Sequence, residues 1–153
     1  NGSAYSEQNN MSTARAELAS ANQAPQSSSL AFGGNIPPVN TSTTATEEYD
    51  GTSWTAGGAL NTSRFGLGGG GTQTAAIAMT GRNSPPNVAV TNTELYDGSS
   101  WTNSTAVATK RGQVAGGGTS TVGIVFGGSD ATVTNATEEF TGAALGTETV
   151  TTS

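Results

Sequence analysis

The chain contains no cysteine and no histidine. Without cysteine it can form no disulfide, no thiolate metal site and no cysteine nucleophile. Without histidine it lacks the side chain that most often acts as general base and metal ligand near neutral pH. Charge is scarce: 10% of residues are charged, with 5 Lys and Arg against 11 Asp and Glu, for a net charge of −6. So few cations disfavour nucleic acid, which is held by neutralising phosphates. They equally disfavour an anionic membrane surface. No apolar run approaches the roughly 20 residues that cross a bilayer, so membrane insertion is not expected. The first residues show no charged-then-apolar pattern.

Small residues take the place of charge. The chain has 22 glycines and is rich in threonine, serine, asparagine and alanine. Such a bias by itself points toward disorder, but apolar residues and tryptophans recur in phase. Tyr49-Asp50-Gly51-Thr52-Ser53-Trp54 returns 47 positions on as Tyr96-Asp97-Gly98-Ser99-Ser100-Trp101. Ala31-Phe32-Gly33-Gly34 returns as Ala78-Met79-Thr80-Gly81, then as Val125-Phe126-Gly127-Gly128. A fixed period of this size means a stack or ring of equal units.

Only 12–21 reads as helical, and the repeat aligns it with glycine-rich stretches. Elsewhere, alternation with threonine and Asp-Gly or Gly-Gly punctuation predicts strands and turns. In the copy that begins at Arg64 the expected strands are 65–69, 74–80, 92–96 and 99–106, with a polar loop over 82–91. The second strand is nearly all apolar, as a strand covered on both faces should be. Asp97-Gly98 predicts a tight turn between the last two. Four antiparallel strands per unit is the pattern of a propeller blade. Gly68-Gly69-Gly70 and Ala115-Gly116-Gly117 align with Ala19-Ser20-Ala21. Small residues there suit first strands that converge on an axis, since glycine within a strand marks close backbone approach. A phosphate-cradling loop is disfavoured, because no Gly-Lys-Ser/Thr follows Gly71.

The order Arg64, Gly68–Gly71, Ala75–Gly81, Glu94, Tyr96, Asp97, Trp101 resembles the kelch repeat. The resemblance covers nearly the whole chain and implies an all-β propeller whose blades pack through the Tyr and Trp positions. The phrases Thr-Glu-Glu-Tyr-Asp-Gly-Thr-Ser-Trp and Gly-Thr-Gln-Thr-Ala also resemble kelch-type proteins of marine bacteriophages. The chain departs from the pattern in three places. Thr80-Gly81 breaks the Gly-Gly doublet, the last copy has no Trp, and the first has two extra residues between Arg15 and Ala31.

The expected division is 1–10 as the last strand of a preceding blade, then blades over 14–60, 64–107 and 111–153. The tail 147–152 is expected to supply the final strand. That gives about three blades, where closed propellers have about four to eight. Asn1 is therefore not expected to be the natural start. The chain is expected to be part of a larger ring, to close one with other copies as a homo-oligomer, or to pair its first strand with its last blade.

Glu47, Glu94 and Glu138 recur in phase, as do Arg15, Arg64 and Arg111. Paired carboxylates can serve as acid and base, but a residue repeated once per blade suits structure. Each Glu is expected to pair with a repeated Arg and tie units together. Tyr49, Tyr96 and Phe140, with Trp54 and Trp101, are expected to be core rather than sugar platforms; Tyr5 takes the Trp place in the first copy. Asp50 and Asp97 read as turn residues, because a calcium site needs about six to eight oxygens. No catalytic residue, metal or cofactor is expected.

The loops 35–45, 82–91 and 129–136 differ in every copy. Loops on a rigid scaffold are where recognition resides, and Asn35, Arg82, Asn83 and Asp130 are the candidate ligand-binding residues. The expected function is a non-enzymatic structural or binding module. It would be virion-associated or part of a phage appendage, extracellular, and attached to a host surface or glycan. Its partners would be virion or surface proteins, or further blades. A secreted bacterial adhesin or carbohydrate-binding protein is the alternative, followed by a hydrolase whose site lies in other blades.

Overall fold

The computed structural model describes residues 4–142. The first sheet contains β1 (Ala19–Ser20) and β2 (Leu30–Phe32). A small hairpin of β3 (Asn35–Ile36) and β4 (Thr41–Ser42) follows, and β5 (Thr46–Tyr49) and β6 (Trp54–Ala56) complete the sheet in the order β1-β2-β5-β6. The second unit repeats the plan. Strands β7 (Gly68–Thr72) and β8 (Ala75–Met79) are followed by a hairpin of β9 (Arg82–Asn83) and β10 (Val88–Ala89), then by β11 (Thr93–Tyr96) and β12 (Trp101–Ser104). The third unit contributes β13 (Ala115–Gly118), β14 (Val122–Phe126) and β15 (Thr137–Thr141) in that order. All pairings are antiparallel. The fold is all-β, built from blades of the propeller type.

The blades meet at their first strands, where only small side chains fit. A Cβ added at Gly70 would lie 2.7 Å from the Gly118 oxygen, and one at Gly69 would lie 2.5 Å from the Ser20 oxygen. Asn22 of the first blade donates to Gly69 O of the second at 3.4 Å and to Gly116 O of the third at 3.1 Å, linking all three blades with one amide.

The first strand of each unit starts later than the sequence predicts. Glu17, Gly66 and Gln113 sit at equivalent places, each two positions after a repeated Arg, with φ of 53°, 58° and 55°. This left-handed residue turns the chain between Arg and strand, so Phe65 forms only an isolated bridge to Arg82 and β7 begins at Gly68. The same bend at Glu17 prevents a helix over 12–21. The fourth strand of the second unit is also shorter than 99–106, spanning Trp101–Ser104. The two extra residues of the first copy are absorbed by a short 3-10 turn, Gln26–Ser28, between β1 and β2. Residues 4–10 form no strand, contrary to expectation. The expected strand over 147–152 lies outside the described residues.

Two apolar clusters fill the spaces between blades. Leu30, Phe32, Leu60, Leu67, Tyr96 and Trp101 pack between the first and second; Ile77, Met79 and Val125, with Leu95, Val114 and Phe140, pack between the second and third. Leu30, Phe32 and Ile77 are fully buried, worth about 1.5–3 kcal/mol each.

Candidate functional site

The repeated Arg and Glu form an ion pair in each unit. Arg64 Nη2 lies 2.7 Å from Glu94 Oε1 and Arg15 Nη2 lies 3.2 Å from Glu47 Oε1; Arg111 pairs with Glu138 in the same way. Both partners belong to one blade, so the pair does not tie units together as expected. Glu94 instead accepts the backbone N–H groups of Asn61 and Thr62, at 2.6 and 3.3 Å, and the Asn61 amide at 3.0 Å. The carboxylate thereby clasps the segment that enters its own blade. Arg64 Nη1 donates to Thr80 O and Asn92 O at 2.9 and 2.7 Å. Burial pulls the Arg64 guanidinium below its ordinary pKa, and Glu94 partly offsets this. The tie between blades is made by the arginine backbone: Gly34 N donates to Arg64 O at 2.8 Å, and Gly81 N to Arg111 O at 2.9 Å.

The aromatic residues occupy the seam. Trp101 packs at a tilt against Tyr96 of its own blade at 4.9 Å and against Phe32 of the preceding blade at 4.8 Å. Its Nε1 donates to Thr46 Oγ1 at 2.9 Å. The Tyr96 hydroxyl donates to Glu48 Oε1 at 2.6 Å and accepts from Gly58 N at 3.3 Å. Burial, reinforced by the Glu48 bond, pushes the Tyr96 hydroxyl up to about 12. Sequence reasoning missed Thr46 and Glu48. The available signal was phase: the second seam replaces Tyr96 and Glu48 by Phe140 and Leu95, losing hydroxyl and carboxylate together.

Asp50 and Asp97 turn inward on their own turns. Asp97 Oδ1 accepts from Ser99 N and Ser100 N at 2.9 and 2.8 Å, and the Ser100 and Ser99 amides hold its carboxyl down at about 2. Asp50 repeats this with Ser53 and Thr52. These carboxylates are committed to local amides.

The variable loops lie side by side and are more ordered than the sequence predicts, the first two containing the hairpins β3–β4 and β9–β10. Ser42 N donates to Ser84 O at 3.1 Å and Ser84 N to Ser42 Oγ at 3.0 Å, joining these hairpins. Arg82 bridges to the third unit. Its Nη1 donates to Ser129 O and Asp130 O at 3.2 and 3.4 Å, while its Nε and Nη2 are held by Asn87 at 2.8 and 3.2 Å. Asp130 also pairs with Lys110 at 3.3 Å, both largely exposed. Arg82 and Asp130 are thus brought together, with Asn83 next in the chain. Asn35 is not exposed with them: it is buried in β3 and its amide donates to Glu17 Oε1 at 3.2 Å. The buried Asn83 Oδ1 has no hydrogen-bond partner.

No family model and no curated protein matches the sequence. Among solved structures, one described as "Structure of YjhT" superposes with a TM-score of 0.69 at 15% identity. The match covers 82% of this chain and 42% of that one, so the chain spans less than half of that structure. The likeness is one of fold.

Proposed function

We propose that this chain is a non-enzymatic binding module of the kelch propeller kind. It presents the face formed by β3–β4, β9–β10 and the loop 129–136 to a hydroxyl-rich ligand such as a glycan. The observation that carries this reading is the polar junction at Arg82. A half-buried guanidinium fixed by Asn87, Ser129 and Asp130 stands beside Asn83, whose buried Oδ1 has no partner. An unpaired buried acceptor is costly, and a turn of the Asn83 side chain would bring it to a ligand hydroxyl at this face. The repeated carboxylates support a binding role over acid–base chemistry, because each is occupied by an arginine and backbone amides. The wording of the repeat supports a virion or extracellular appendage as the setting.

The test is a glycan array probed with the parent chain, Arg82→Ala and Asn83→Ala. The reading requires glycan signal for the parent and its loss in both variants. No signal for the parent, or undiminished signal in the variants, would overturn it. Detection of the chain in purified phage virions would test the setting separately.

A further inference from the structure

The seam between the first two blades has two halves. The receiving half is Phe32, Thr46 and Glu48; the inserting half is Trp101 and Tyr96. Each half recurs on an outer face of the three-blade array. Phe126, Thr137 and Glu139 occupy the places of Phe32, Thr46 and Glu48 on the far face of the third sheet. All are exposed, Phe126 to 44%, and Val122 beside them to 61%. At the other end, Trp54 and Tyr49 occupy the places of Trp101 and Tyr96, their tilted rings 5.0 Å apart, with Trp54 half-buried and Tyr49 buried beneath it. Among the described residues, no blade covers either face.

We propose that these faces dock on each other between two copies of this chain, head to tail. Trp54 of one copy would lie on Phe126 of the other with Nε1 directed at Thr137, while the Tyr49 hydroxyl would exchange its 3.5 Å bond to Gln8 Oε1 for one to Glu139. The inner seams give the reason for choosing a second copy. Where the inserting ring is Tyr96, the receiving blade offers Glu48; where it is Phe140, the receiving blade offers Leu95. The outer inserting ring carries a hydroxyl, Tyr49, only 8% exposed and held at 3.5 Å only by Gln8 Oε1 of the entering segment, and the exposed receiving position carries a carboxylate, Glu139. The match is therefore specific in polarity as well as in the residues that pair. Two copies, each with its two four-stranded sheets and one three-stranded sheet as blades, would bring the ring within the roughly four to eight blades of closed propellers.

Size-exclusion chromatography with light scattering tests this on the full chain. The parent should run at twice 15.1 kDa. Trp54→Arg and Phe126→Arg should each run as monomers, with intact Trp101 near-ultraviolet signal showing that the inner seam remains folded. An equimolar mixture of the two should recover dimer, because one copy still offers Trp54 and the other still offers Phe126. An interface pairing like faces would give no such recovery. Glu139→Leu, which copies the second seam, should weaken the dimer about a hundredfold, about tenfold for the charged hydrogen bond lost at each of its two junctions. A monomeric parent at millimolar concentration, or variants that dimerise as well as the parent, would overturn the proposal. Such a monomer would leave these faces to other blades.

Discussion

Thr80 stands at φ +51°, and its hydroxyl meets the backbone of Arg111 in the next blade. The equivalent positions are Gly33 at φ +65° and Gly127 at φ +66°. At Gly33 an added Cβ would lie 2.6 Å from the Arg64 carbonyl oxygen. A β-branched residue is unfavourable in this left-handed region, and here the hydroxyl turns close approach into a hydrogen bond. Thr80→Val keeps the backbone strain and removes the bond to Arg111 and Val90. It should cost about 1–3 kcal/mol in urea denaturation. Thr80→Gly removes strain and bond together and should cost less than the valine. A valine variant as stable as the parent would show that the hydroxyl contributes nothing.

The Tyr96–Glu48 bond predicts an alkaline limit. Tyr96 is raised from 10.0 to about 12 in the folded chain, first by burial and then by Glu48. The folded state holds this proton more tightly than the unfolded state does. Its contribution is therefore fully present below pH 10 and lost as pH rises toward 12. Tyr96→Phe should be less stable near neutrality by about 1 kcal/mol, and it should lack this part of the alkaline decline. Parallel decline in the two proteins would mean that Tyr96 titrates normally.

Asp97 predicts the opposite edge. Its carboxyl is lowered from 3.8 to about 2 by the Ser100 and Ser99 amides. A depressed folded pKa stabilises above the unfolded value and is lost as pH falls through the folded one. Asp97→Asn should flatten the decline between pH 3.8 and about 2, measured as the difference in thermal midpoint from the parent. Carbon-detected NMR titration of the parent carboxyl checks the direction independently.

Much of the fold was legible because the repeat exposes it. Gly69 and Gly70 announced the hub by lacking side chains, and Asp97-Gly98 announced the last turn. The bend at Glu17, Gly66 and Gln113 was hidden, since three different residues occupy one left-handed position and only Gly66 signals it. The seam was half legible: Trp101 and Tyr96 stood out as aromatics, but Thr46 and Glu48 look like ordinary strand residues until their partners are seen. The loop site was the least legible. Asn35 and Arg82 hold the same place in the repeat, yet one side chain folds inward onto Glu17 and the other outward across the boundary between blades. Asn35 meets Glu17 where the second unit has Gly66, and Arg82 meets Ser129 and Asp130 of a loop that follows no period.

The Arg64–Glu94 pair separates two accounts of a buried ion pair. Removing one partner strands the other: Arg64→Met should cost about 3–5 kcal/mol, because Glu94 would remain fully buried without its cation. Replacing both partners by apolar residues often restores stability when the charges serve only each other. Here Glu94 also accepts the Asn61 and Thr62 amides, and Arg64 donates to Thr80 O and Asn92 O. Losing these charge-assisted hydrogen bonds costs about 1.5–3 kcal/mol each, although Asn92 O keeps the Thr80 N–H and Asn61 is exposed. The double variant Arg64→Met with Glu94→Leu should therefore be no more stable than Arg64→Met alone in urea titration. Recovery to the parent midpoint would show that the pair acts as an isolated ion pair and that the clasp on the entering segment is dispensable.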